Sequence, residues 1–101
     1  MKIGIASDHA GYDLKEFIKE TYKNLYSFED FGTFSNESVD YPDFAHPLAA
    51  SVENNMNTKG ILICGSGNGV AMSANKHPNV RAALCWSEEI AQLARLHNDA
   101  N

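Results

Sequence analysis

The sequence predicts an α/β domain built on a parallel sheet, and three observations carry that reading. Apolar runs of strand length alternate four times with segments of helical period, an order that packs as parallel strands joined by helical crossovers. One of these runs, Ile61-Leu62-Ile63, ends at Cys64 and passes straight into Gly65-Ser66-Gly67-Asn68-Gly69 before helix-forming residues resume. The polar residues best suited to chemistry fall just after predicted strands, at the sheet edge where such folds carry their sites.

Residues 2–7 are mostly Ile, Gly and Ala, as in a strand covered on both faces, and they end in Asp8-His9-Ala10-Gly11. From Tyr12 the period changes. Leu14, Phe17, Ile18, Thr21, Tyr22 and Leu25 recur at steps of three and four, with Lys15, Glu16, Lys19, Glu20 and Lys23 between them. That spacing predicts an amphipathic helix of about four turns with the apolar set inside. Residues 26–31 are short and aromatic and predict a second strand, closed by Gly32.

After a polar, turn-rich stretch, Asp40-Tyr41-Pro42-Asp43 opens a second helix, with Pro42 tolerated at the first helical position. Phe44, Leu48 and Val52 give that helix a buried stripe; Pro47 sits early enough to remove only donors that would be orphaned anyway. A polar connection over residues 54–58 leads to the third strand and its glycine loop. A helix then begins near Gly69 and is broken by His77-Pro78-Asn79. Residues 80–85 predict a fourth strand. Ser87 reads as an N-cap, with Glu88 and Glu89 in the first turn where the helix dipole favours them, and Ile90, Leu93, Ala94 and His97 share one face. The expected architecture is one Rossmann-like domain over residues 1–101, a parallel sheet with helices on both faces in three α/β/α layers. Such a sheet usually continues with another strand, so the chain is expected to be a truncated or unusually short member of its class.

Composition narrows the function classes. With 101 residues, 44% of them hydrophobic, the chain can build one small core. Its formal charge is -5 and its eight Lys and Arg are scattered, so no basic stripe exists to neutralise a nucleic-acid backbone. No run approaches the roughly 20 apolar residues that span a bilayer, and nothing resembles a signal peptide, which predicts a soluble, cytoplasmic protein. Cys64 and Cys85 each end an apolar segment, unlike the dense cysteines of a disulfide-stapled domain, and are expected as reduced thiols. The four histidines and two cysteines show no metal-ligand spacing; His46 and His77 read as surface or packing residues, and neither metal nor cofactor is expected.

A strand, a glycine loop and a helix in succession gather backbone N–H groups around one point, where an anion or a developing negative charge can sit. Cys64 stands at its edge, and the same N–H groups favour a thiolate. Bland readings stand beside these. Cys64 can be a small buried hydrophobe, the glycines a tight turn, Ser66 a loop hydroxyl or cap, Asp8 and His9 a helix-opening turn, and His97 a partner of the helix dipole.

At this point the chain resembles the ribose-5-phosphate isomerase B family, which includes the bacterial galactose-6-phosphate isomerase subunits. The likeness rests on Ser7-Asp8-His9-Ala10-Gly11, Asp40-Tyr41-Pro42-Asp43, Ile63-Cys64-Gly65-Ser66-Gly67-Asn68-Gly69, Ala74-Asn75-Lys76, Val80-Arg81-Ala82 and His97-Asn98-Asp99-Ala100-Asn101. It implies a cofactor-independent aldose–ketose isomerase of carbohydrate metabolism, interconverting ribose 5-phosphate and ribulose 5-phosphate in the pentose phosphate pathway through a cis-enediolate. By position, Cys64 falls where the family's cysteine branch has its base, His97 where the family opens the furanose ring, and Ser66 beside the enediolate. Asp8, His9, Tyr41, Gly65, Ser66, Gly67, Asn68, Gly69 and Asn98 align with substrate-binding positions. Another branch uses a glutamate just after the glycine loop; Val70 stands there, which assigns this chain to the cysteine branch. The resemblance also implies a homodimer or a dimer of dimers with sites shared between subunits. The family's last strand and helix, with their phosphate-binding arginines, have no counterpart in residues 1–101. The alternatives are a hexose-6-phosphate isomerase acting on allose or galactose 6-phosphate, or a non-catalytic module that binds a phosphosugar or dimerises.

Overall fold

The computed structural model describes residues 1–101 as β1 (Lys2–Ser7), α1 (Tyr12–Tyr22), β2 (Ser27–Asp30), α2 (Pro42–Glu53), β3 (Lys59–Ile63), α3 (Asn68–Ala74) and α4 (Glu88–Asn98). The strands form one parallel sheet in the order β2-β1-β3. β1 takes the middle, where both faces are covered, and its Ile3, Ile5, Ala6 and Ser7 are buried. Gly4 pairs with Gly60 in register, and Leu48 of α2 packs so closely over Gly4 that no side chain fits there. Because side chains alternate along a strand, Ala6 joins Leu48 and Val52 in the core beneath α2 while Ile5 and Ile61 point to the opposite face. There α1 packs on β1 and β3, so helices cover both faces of the sheet.

Several local signals act as their chemistry demands. α2 begins at Pro42, buries Leu48 and Val52, and carries Pro47 in its second turn. Ser87 caps α4, its hydroxyl accepting from the Ile90 N–H at 3.2 Å, with Glu88 and Glu89 in the first turn. No helix is long and apolar enough to cross a membrane. His46 Nδ1 and His77 Nε2 share a hydrogen bond of 2.9 Å between α2 and the turn after α3.

Two expectations fail. Residues 80–85 do not form a fourth strand, because Asn101 stands between them and β3. Its carbonyl accepts from the Gly60 N–H at 2.8 Å, and its N–H donates to the Arg81 carbonyl at 3.1 Å. The ladder that these residues need is therefore not offered by β3. The Asn75 side chain holds the segment instead, donating to the Ala82 carbonyl and accepting from its N–H, both at 2.8 Å. Cys85, expected in an interior strand, is exposed, as is Trp86 at 76%.

The second correction concerns α1. Its expected buried stripe is largely outside, with Phe17 65% and Leu25 70% exposed, whereas Lys15, assigned to the wet face, is 0% exposed. The lysine goes in because its charge is matched there. Its ammonium donates to both oxygens of Asp30, at 2.7 and 2.8 Å, and to the Thr33 carbonyl at 2.7 Å. Charge-assisted bonds of this kind offset the cost of removing the ammonium from water. Lys19 adds a bond to Asp30 at 2.6 Å and one to Glu16 at 3.1 Å, so two cations and two carboxylates balance.

Burial alone raises the Asp30 carboxyl, but hydrogen bonds from Lys15, Lys19 and the Gly32 N–H outweigh it and hold the group below its ordinary value of 3.8. For Lys19 burial lowers, and the bonds to Asp30 and Glu16 more than reverse it, leaving the ammonium above 10.5. A depressed carboxyl contributes stability that is present above its unfolded pKa and lost as pH falls through the folded one. A raised ammonium contributes below its unfolded pKa and loses the contribution as pH rises through the folded value. Denaturant midpoints followed from about pH 6 down to about pH 2 are therefore expected to fall more steeply in the parent than in Asp30→Asn, which lacks this carboxylate. Parallel acid limbs would show that Asp30 carries no such linkage.

Candidate active site

The carboxyl ends of β1 and β3 lie side by side and bring two of the predicted segments together. The Asp8 N–H donates to the Ile63 carbonyl at 3.2 Å, which places residues 8–11 beside the start of the glycine loop. A side chain built at Gly65 would meet Ala10 across this junction, at ordinary van der Waals distance. Asp8 is buried, and its Oδ1 accepts from the N–H groups of Ala10 at 2.9 Å and Gly11 at 3.1 Å. One carboxylate oxygen thus builds the turn into α1, as the bland reading has it, and the turn leaves Oδ2 without a partner in it.

His9 is half-buried, and its Nδ1 accepts from the Val39 N–H at 3.2 Å. An imidazole nitrogen that accepts carries no proton, so the hydrogen of the neutral ring sits on Nε2 and makes that atom a donor. The loop after β2 therefore fixes which edge of His9 can meet an anion. Sequence reading missed this partner, because a backbone N–H thirty residues away has no residue-type signature.

Cys64, also half-buried, lies one residue beyond β3, and its Sγ accepts from the Gly67 N–H at 3.1 Å. The loop can return to the sulfur because Gly67 adopts φ 81°, a left-handed conformation that side-chain-bearing residues rarely hold. The exposed Ser66 has its hydroxyl accepting from the Asn68 N–H at 3.2 Å, so in this state it shapes the loop into α3. The Tyr41 ring packs over Gly69, linking the start of α2 to the glycine loop.

His97 and Asn98 are not drawn into this cluster. Both are exposed in the last turn of α4, and the Asn98 carbonyl accepts from Arg81 Nε at 2.6 Å. A cavity of about 580 Å³ runs along the free side of β3, lined by Cys64, Gly65, Ser66 and Gly67 at one end and by Ala82, Leu84 and Trp86 across from them. Neither His97 nor Asn98 lines it, and neither do Asp8, His9 or Tyr41. Its walls are mostly apolar, so the polar cluster at the strand ends, rather than this cavity, has the chemistry to hold a charged, hydroxylated ligand.

A model of the ribose/galactose isomerase family matches residues 3–101. The chain belongs to that family. Ribose-5-P isomerase B of Listeria innocua serovar 6a is 46% identical over 103 residues, an alignment covering 100% of this chain and 69% of the relative. The solved structure of Clostridium thermocellum ribose-5-phosphate isomerase B is 51% identical and superposes with a TM-score of 0.98, over 100% of this chain and 69% of that one. Ribose-5-phosphate isomerase B of Mycoplasma genitalium, solved with bound ribulose-5-phosphate, is 48% identical with a TM-score of 0.91, over 99% of this chain and 68% of that one. Membership fixes the α/β fold and the class of enzyme, an aldose–ketose isomerase. The chain spans about two thirds of the length of these relatives.

Proposed function

We propose that the chain interconverts ribose 5-phosphate and ribulose 5-phosphate through a cis-enediolate, with Cys64 as the base. The observation that carries this reading is the Gly67 N–H donating to Cys64 Sγ, in a glycine loop set against Asp8 and His9 at the strand ends. A thiolate there takes the proton from C2 of the open-chain aldose and the electron pair moves onto O1 to form the enediolate; the O2 proton passes to O1, and the thiol, its proton exchanging with solvent, protonates C1 to leave the C2 ketone. Loop N–H groups and Ser66 stabilise the oxygen that gains charge, a role in which losing one donor costs on the order of 3 kcal/mol in known cases. His9 holds the phosphate through its Nε2–H. Asp8 Oδ2 binds a sugar hydroxyl, together with Tyr41, Asn68 and Asn98. His97 opens the furanose ring.

His97 and Asn98 reach the substrate from a second subunit in this reading, which makes the working enzyme a cytoplasmic homodimer or dimer of dimers with shared sites. Their exposure, their absence from the Cys64 surroundings and the exposed apolar Phe17, Leu25 and Trp86 support it. The sugar phosphate bound in the Mycoplasma genitalium relative supports the substrate class.

The family's description includes galactose as well as ribose, which keeps a hexose 6-phosphate as the second reading. Turnover of ribose 5-phosphate is compared with that of allose 6-phosphate and galactose 6-phosphate under one set of conditions. The pentose is expected to give the highest kcat/KM. A higher value for either hexose phosphate would replace the assignment.

A further inference from the structure

The most deeply buried charge in the molecule, the Lys15 ammonium, has a place in the packing but none in the proposed chemistry. Its three contacts share a direction. Asp30 ends β2, Thr33 lies in the loop that follows, and Lys15 itself sits at the start of α1, directly after the Asp8–Gly11 turn. The Tyr12 and Phe34 rings lie 5.4 and 5.0 Å from the ammonium, so an apolar side chain would find apolar neighbours there. Burying an ion pair is a poor way to gain stability compared with packing such a side chain, which leaves the retained charge to be explained by what it orients.

What it orients is the 32–39 loop. Lys15 binds the Thr33 carbonyl, while the Thr33 N–H donates to the Ser7 carbonyl at 2.8 Å and the Ser7 N–H donates to the Gly32 carbonyl at 2.7 Å. Asp30, held by Lys15 and Lys19, accepts from the Gly32 N–H at 2.8 Å. The loop is thus fastened to the last residue of β1, next to Asp8, and it continues to Val39, whose N–H sets the His9 tautomer. We propose that Lys15 is a positioning residue of the site: through Asp30 and the Thr33 carbonyl it anchors the 32–39 loop, and the loop holds His9 with Nε2–H as the donor. The consequence for catalysis rests on the reading of His9 as a substrate-binding group; the consequence for the His9 tautomer does not.

The test reads that tautomer directly, without substrate. Ring nitrogen shifts of His9 are recorded by NMR in the parent, in Lys15→Gln, which keeps a donor for Thr33, and in Lys15→Met with Asp30→Asn, which removes both charges together. The parent is expected to show one protonated and one accepting ring nitrogen. The double variant, folded by circular dichroism, is expected to shift toward averaged nitrogens, and Lys15→Gln to stay near the parent. With ribose 5-phosphate, the double variant is expected to raise KM by about tenfold with kcat changed less than about threefold, as loss of uniform binding predicts. A folded double variant with parental His9 shifts would overturn the proposal, and so would failure of both variants to fold, which would make Lys15 a purely structural ion. Altered His9 shifts in a chain that turns over no sugar phosphate would leave the positioning role standing and count only against the isomerase reading.

Discussion

Cys64→Ala is expected to lower isomerisation of ribose 5-phosphate by about 10²- to 10⁴-fold, the range spanned by positioned acid–base groups. The thiol lies one residue beyond β3 at the mouth of the glycine loop, can carry a proton, and accepts from the Gly67 N–H. Binding should change little, since the proposed phosphate and hydroxyl partners lie on other residues. The split to look for is a collapse in kcat with a near-parental dissociation constant for the product, read by steady-state kinetics and calorimetry. The folded state should tolerate the change, because Cys64 is only half-buried and alanine leaves Gly67 its left-handed turn. Parental kcat in this variant would remove Cys64 as the base.

His97→Asn is expected to separate ring opening from proton transfer. A furanose must open before C2 can be deprotonated, whereas an open-chain substrate enters after that step. The variant should therefore lose about 10²-fold or more on ribose 5-phosphate, by loss of a general acid–base group, and much less on an open-chain analogue. Equal losses on both would place His97 in the proton transfer or in binding. Because His97 is exposed on α4 and does not line the cavity at Cys64, mixing Cys64→Ala with His97→Asn subunits offers a further readout. If sites are shared between subunits, the mixture should regain activity that neither variant has alone.

The parts of the fold that were legible in the sequence are those fixed by short-range chemistry. Pro42 starts α2, Ser87 caps α4, and the glycine loop follows the β3 run, because each depends on residues within a turn of one another. Residues 80–85 have the composition of a strand, but strand pairing is a relation between two segments, and Asn101 occupies the partner's place. Lys15 was misread for a similar reason. Its neighbours Glu16 and Lys19 mark a wet helix face, while the groups that draw it inward, Asp30 and Thr33, lie 15 and 18 residues away.

The site divides along the same line. Parallel strands put their carboxyl ends on one edge, so the meeting of Asp8 and His9 with the Cys64 loop followed from topology. The hold of Val39 on His9 could not be read, since a backbone donor looks alike at every position. At Ser66 and Asp8 the structure shows the turn-forming role, and the catalytic or binding role is the proposal. One oxygen of each accepts a loop N–H, which is the bland reading, and the proposed chemistry calls on the other Asp8 oxygen and on the Ser66 hydroxyl hydrogen.

The central claim is that this site moves a proton between C2 and C1 of a pentose phosphate, and incubation of the chain with ribose 5-phosphate in deuterium oxide tests it most directly. The account predicts ribulose 5-phosphate carrying deuterium at C1, and deuterium appearing at C2 of the ribose pool as the reaction reverses, both lost in Cys64→Ala. Binding of ribose 5-phosphate with no ribulose 5-phosphate formed and no deuterium entering the sugar would contradict it and leave a phosphosugar-binding module.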